Sequence, residues 1–195
     1  MINNDIFHLV NDIAGQNAPA IASVSILLVI IIFLNRGKIR HIWLNFKTRY
    51  CLNRLGFKQK TNFQWPDGLG HYFTIDRLIL RHDGISLLVH KRYPGKIFCA
   101  DKMDDWTQML GKKSYRFKNP LNDLDCLINT VSACIPGVPV DGFLFFDHMA
   151  EFPKGHPERV IYLNKIPEEL LVDKKLEVQA SVMSAWQQLQ SMSQG

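Results

Sequence analysis

Apolar and polar positions alternate across residues 73–80 and again across 85–91, with His82-Asp83-Gly84 between the two runs. Asp-Gly flanked by alternating apolar stretches is the strongest short-range signal for a β-hairpin, so these runs predict two paired strands. Downstream, Tyr93-Pro94-Gly95-Lys96 predicts a turn and 97–100 a short strand. A second hairpin is expected from Trp106-Thr107-Gln108 across Gly111-Lys112-Lys113 into 115–117. Asn119-Pro120-Leu121 predicts a helix start, with Asn119 as cap and Pro120 at the first helical position. That helix is expected to reach about Cys134, with Leu121, Leu124, Leu127, Ile128 and Val131 on one face, and Pro136-Gly137-Val138-Pro139 ends it. Residues 140–146 become apolar on both faces, as a buried strand does. A further strand at 159–163 and a closing amphipathic helix at 167–190 complete an α/β arrangement, a mixed β-sheet flanked by helices.

The N-terminal part follows a different pattern. No charged residue occurs from Ile13 to Asn35, and 20–34 (AIASVSILLVIIIFL) is nearly continuous apolar sequence. With its uncharged flank, that run has the length needed to cross a hydrocarbon core of roughly 30 Å. It is too long for a strand. It fits a cleavable signal peptide poorly, because the positive charges come after it and no small-residue cleavage site follows Leu34. One transmembrane helix is therefore expected at 18–35, preceded by a short extracytoplasmic N-terminus at 1–17.

Charge distribution sets the orientation. The chain of 195 residues has a formal net charge of +5, but residues 36–60 hold Arg36, Lys38, Arg40, Lys47, Arg49, Arg54, Lys58 and Lys60 with no Asp or Glu. Eight cations after the span and none before it predict an N-terminus facing out and a globular part in the cytoplasm. Within 36–60, Ile39, Ile42, Trp43, Phe46, Tyr50, Leu52 and Leu55 recur at helical spacing, which predicts a basic juxtamembrane amphipathic helix ending near Gly56. Its cations suit anionic lipid headgroups, and their interleaving with aromatic residues also suits DNA or RNA phosphates. Asn62–Gly70 reads as a turn-rich linker around Pro66-Asp67-Gly68, so a domain at 61–165 and a C-terminal helix at 166–195 follow.

Four cysteines, Cys51, Cys99, Cys126 and Cys134, are widely spaced. Neither zinc-ligand spacing nor a disulfide framework results. No Gly-x-Ser-x-Gly elbow, P-loop, dinucleotide-binding glycine pattern or His-Glu-x-x-His occurs, so zinc and nucleotide cofactors are not expected.

Several short motifs stand in a distinctive order over about a hundred residues: Ile75-Asp76-Arg77, Asp83-Gly84-Ile85, the run from Lys91 to Ile97, Trp106-Thr107-Gln108, Tyr115-Arg116-Phe117, Asn119-Pro120-Leu121, and Phe145-Phe146 with Ala150-Glu151-Phe152. From about Gly56 to Leu163 the chain resembles the nuclease-related domain, NERD, of the restriction-endonuclease-like (PD-(D/E)XK) superfamily. The resemblance implies a mixed sheet flanked by helices and a divalent-metal phosphodiester site. In such a site an Asp and a Glu on neighbouring strands hold Mg²⁺, and a Lys two positions after the Glu orients the attacking water.

Asp76 falls on the family's aspartate, where it is the one candidate metal ligand, and Lys91 falls on its lysine. Position 89, where the Glu belongs, is Val89, with His90 between. No Asp or Glu occurs from Ile13 to Pro66 to supply the further acid often found on the family's preceding helix. The glutamine expected after the Asn-Pro turn falls near Asn122-Asp123 and is absent. These departures predict an inner-membrane NERD-like protein, related to nucleic acid, with a degenerate nuclease site. Two alternatives stand beside it. One is an active Mg²⁺-dependent nuclease using a relocated carboxylate, with Asp83, Asp101, Asp104 and Asp123 available. The other is a non-enzymatic membrane scaffold that recruits a protein partner.

Overall fold

The structure is a computed structural model describing residues 2–66, 72–173 and 175–192, with side chains described at residue 23 and from residue 25 onward in the first helix. The chain divides into two compact units, Met1–Phe46 and Lys47–Gly195. In order, the elements are α1 (Ile2–Leu52), β1 (Lys58–Pro66), β2 (Tyr72–Leu80), β3 (Ile85–Lys91), β4 (Gly95–Phe98), β5 (Asp105–Leu110), β6 (Lys113–Lys118), α2 (Pro120–Cys134), β7 (Val140–Phe146), β8 (Ala150–Glu151), β9 (Val160–Tyr162), a 3₁₀ turn at Glu168–Leu170, and α3 (Ala180–Met192).

The expected single sheet is two mixed sheets. Five strands run in the order β1-β2-β3-β7-β9 and four in the order β6-β5-β4-β8. β1, β2 and β3 pair antiparallel, whereas β3 with β7 and β7 with β9 are parallel. The first face of the large sheet, with Leu78, Leu80, Leu87, Leu144 and Phe146, packs in one core with Leu121, Leu124 and Val131 of α2, Val182 and Trp186 of α3, and Trp106 of the second sheet. Side chains alternate across a strand. The other face therefore presents Ile79, Leu88, Phe143, Phe145 and Ile161, which Leu52, Leu55 and Leu170 cover. α2 sits so close to β7 that a Cβ at Gly142 would lie 2.7 Å from Ile128 Cδ1 and 2.8 Å from Leu124 Cδ1.

The start of α2 follows the sequence expectation. Asn119 Oδ1 accepts from Leu121 N at 3.0 Å, and Pro120 opens the helix, where its missing N–H costs nothing. The same amide donates to Asp101 O at 3.1 Å and Met103 O at 2.9 Å, tying the 101–105 loop to the helix. Arg159 closes the opposite side with a bidentate contact to Asp125.

Three boundaries differ from expectation. A single helix, α1, runs unbroken from Ile2 to Leu52, including Gly37, where 18–35 and 36–60 were expected to be separate elements. It stops short of Gly56, whose φ is +60° and whose close approach to Ile79 and Leu80 turns the chain into β1. Residues 58–66 are thus a strand and not a juxtamembrane helix followed by a linker; 67–70, the rest of that linker, lie outside the described residues. At the C-terminus only Ala180–Met192 is α-helical. The backbone of Leu170, Leu171 and Gln179 is committed elsewhere: Gly56 N donates to Leu170 O at 2.9 Å, Leu55 bridges Leu171, and Gln179 N donates to His82 O at 3.0 Å.

The span expected at 18–35 falls partly on side chains, those up to residue 22 and at 24, that lie outside the described residues. Among the described residues no helix is long and apolar enough to cross a membrane.

Candidate nucleic-acid site

Asp76 lies on β2 and Lys91 at the end of β3, so the antiparallel hairpin brings both to one end of the large sheet. The sheet backbone is interrupted where Asp76 sits. The β2–β3 register runs from Leu80↔Ile85 to Arg77↔Leu88 and stops one step before Asp76 would face Val89. On the other side, the β1–β2 register passes from Thr61↔Arg77 to Phe63↔Ile75, skipping Asn62, which has φ +51°. Asn is among the few residues that tolerate this left-handed conformation. The Asp76 carboxylate takes the place of the missing backbone partner: its Oδ2 accepts from His90 N at 2.8 Å.

Val89 packs against the core, and its register partner on β7 is Leu144. An aliphatic side chain in a greasy setting offers a cation nothing. Among the described residues, Lys91 has no ion pair or hydrogen bond to Asp76, and no group of three or more His, Cys, Asp or Glu side chains could hold a metal ion. Mg²⁺ binding by protein side chains relies on carboxylate oxygens. Asp76, with one oxygen bonded to the His90 amide and Val89 beside it, does not amount to such a donor set.

The carboxylates considered from sequence go elsewhere. Asp83 stands at the far end of the hairpin, 3.4 Å from the buried guanidinium of Arg81. Asp123 is in the first turn of α2. Asp101 and Asp104 are exposed, in the loop that Asn119 holds. The acid that the sheet does bring to this end is Asp147, directly after β7, 7% exposed, with Oδ1 accepting from Met149 N at 3.0 Å. A sequence reading misses it because parallel pairing of β3 with β7 places it there. Its position after the carboxyl end of a strand is the signal that could have found it.

His90 joins these groups. Its ring meets Phe145 edge-on with centroids 5.4 Å apart, and its Nε2 is buried without a hydrogen-bond partner. Burial, followed by the positive charge of Arg92, holds the imidazole below its ordinary pKa of 6.5, against the opposing pull of Asp147 and Asp76. The unfolded chain therefore takes up a proton at higher pH than the folded one. Stability is full above the unfolded value and falls as pH drops through 6.5 towards the folded value. His90→Phe should flatten the decline in melting temperature between pH 7.5 and 5.5; an unchanged slope would assign the decline to other groups.

The eight cations of 36–60 lie on more than one element. Arg36, Lys38, Arg40, Lys47 and Arg49 are on α1, Arg54 is in the turn after it, and Lys58 and Lys60 are on β1. Arg54 is held by Tyr50, donating to its hydroxyl at 3.2 Å with the guanidinium over the ring. Cys99 is no nucleophile at neutral pH: burial, assisted by Asp101, pushes its thiol to about 11.

This is an α/β protein in which two mixed sheets are flanked by helices, consistent with the restriction-endonuclease-like class. The family model described as the nuclease-related domain matches residues 43–147, more than half of the chain, and the chain belongs to that family, NERD. No curated protein matches it. No solved structure matches it either.

Proposed function

We propose that this chain is a membrane-anchored NERD protein that binds DNA or RNA and has lost phosphodiester cleavage. The observation that carries the reading is Val89 at the position of the motif glutamate, beside an Asp76 whose carboxylate is bonded to the His90 backbone. Membership of a nuclease-related family supports the nucleic-acid partner, and the cations of α1 and β1 supply charge for phosphates. In this role Asp76 and Lys91 are inherited positions, with Asp76 maintaining the end of the sheet.

The anchor rests on the uncharged run from Ile13 to Asn35 within one continuous helix. Ile26 to Leu34 expose 47–74% of their surface, a costly arrangement in water and a natural one in lipid. The flanking Arg36, Lys38 and Arg40 then orient the N-terminus outward at the inner (plasma) membrane and touch anionic headgroups.

A competing reading, Mg²⁺-dependent cleavage with a relocated carboxylate, draws support from Asp147 at the end of β7. The test is an assay of the full chain in neutral detergent against labelled DNA and RNA, with Mg²⁺ or Mn²⁺ present. Retarded complexes that weaken as salt rises, with no cutting above an Asp76→Ala control, are expected. Metal-dependent cutting that Asp76→Ala abolishes would overturn the loss of cleavage. Binding of neither nucleic acid would leave the protein-recruiting scaffold in its place.

A further inference from the structure

Arg77 stands two residues from Ile79 on β2, so its side chain leaves on the face of the sheet that Leu52 and Leu55 cover. There it meets neutral acceptors. Nη1 donates to Gln59 Oε1 at 2.8 Å, to Asn53 Oδ1 at 3.0 Å and, at the limit, to Leu52 O at 3.5 Å. Gln59 is fixed in turn, because its Nε2 donates to Leu55 O at 2.6 Å. Among the described residues, no carboxylate pairs with this half-buried guanidinium.

A cleft of about 270 Å³ opens beside it, walled by Asn53, Gly56, Phe57, Gln59, Thr61 and Arg77. Lys58 also borders the cleft, but its amine reaches Met183 Sδ at 4.0 Å. The wall contains no Asp or Glu. Thr61 is the register partner of Arg77 and is exposed, so its hydroxyl stands on the same face beside the guanidinium. An arginine keeps its charge even when half-buried. The cleft therefore holds a preoriented positive charge to which no carboxylate among the described residues is bonded, although Asp76 acts on it through space.

Helix capping explains one edge of the guanidinium. The three bonds use Nη1 alone, and the remaining fork matches two oxygens of a tetrahedral anion. We propose that this cleft binds the phosphate of a small phosphate ester, gripped by Arg77 with Thr61 as a further donor. The volume suits a phosphate with one glycerol- or sugar-sized substituent. The proposal does not rest on nucleic-acid binding, since neither Asp76 nor Lys91 lines the cleft.

Inorganic phosphate titrated into the full chain in neutral detergent, followed by the arginine Nε–Hε NMR resonances, tests it. One resonance should move to saturation with phosphate and stay still with chloride at equal ionic strength. Arg77→Gln should abolish the response but also removes the bonds to Asn53 and Gln59. Thr61→Glu keeps those bonds, sets a carboxylate opposite the guanidinium, and should weaken phosphate roughly tenfold or more. An unsaturating drift matched by chloride, or a Thr61→Glu variant that binds as tightly as the parent, would overturn the site. Glycerol 1-phosphate and short-chain phosphatidylglycerol separate the sources. Tighter binding of the first assigns a soluble ester and of the second a lipid headgroup, while competition by neither also overturns the proposal.

Discussion

Trp106→Ala is expected to destabilise the domain by about 3–5 kcal/mol, the range for emptying a fully buried tryptophan site. Trp106 is 0% exposed and joins the second sheet to the large one. Its ring stacks on Phe146 at 6.4 Å between centroids and meets Phe117 edge-on at 6.2 Å. Its Nε1 donates to Ala100 O at 3.1 Å, so truncation leaves both a void and an unpaired carbonyl. Trp106→Phe, which refills most of the volume and loses only the N–H, should cost about 1–2 kcal/mol. Urea unfolding of the full chain in detergent measures both. Equal losses for the two variants would show that the hydrogen bond, and not packing, dominates.

Asp76→Ala is expected to cost about 1–3 kcal/mol, because the His90 N–H loses an ionised acceptor where the ladder has no backbone substitute. Asp76→Asn keeps an amide oxygen at the same place and should recover most of that loss. This ordering separates a structural aspartate from a metal-binding one. For a metal ligand, Asn would be nearly as damaging to activity as Ala, and stability would scarcely change in either. A stability loss graded Ala over Asn, with nucleic-acid retention little altered, fits an inherited aspartate that holds the end of β2 against β3.

The elements that sequence alone specifies are those whose signals are local. Asp83-Gly84 between alternating runs sets the β2–β3 hairpin, and Asn119-Pro120 sets the first turn of α2, because cap, proline and turn act within a few residues. The errors arise where long-range pairing decides. Pro66-Asp67-Gly68 resembles linker punctuation, yet 58–66 is a strand because β2 offers it a full register. The apolar spacing after Pro167 suits a helix, yet Leu170, Leu171 and Gln179 bond to the backbone of Leu55, Gly56 and His82. The candidate site divides in the same way. Asp76, Val89 and Lys91 are readable from one hairpin. Asp147 reaches them only through parallel pairing of segments more than fifty residues apart, and the Arg77 cleft needs α1, β1 and β2 together.

The parallel junction of β3 with β7 has a kinetic corollary. The chain between Lys91 and Val140 holds β4, β5, β6 and α2, so most of the second sheet is threaded through a single crossover. Contacts that close so long a loop carry a large entropic barrier and slow folding. The hairpin of β2 and β3 can form early, but until β7 docks, β3 is an uncovered edge with Leu87, Leu88 and Val89 in a row. The apolar triplet that ends in Val89, at the family's glutamate position, is then the stretch most exposed to mispairing while the chain is being made.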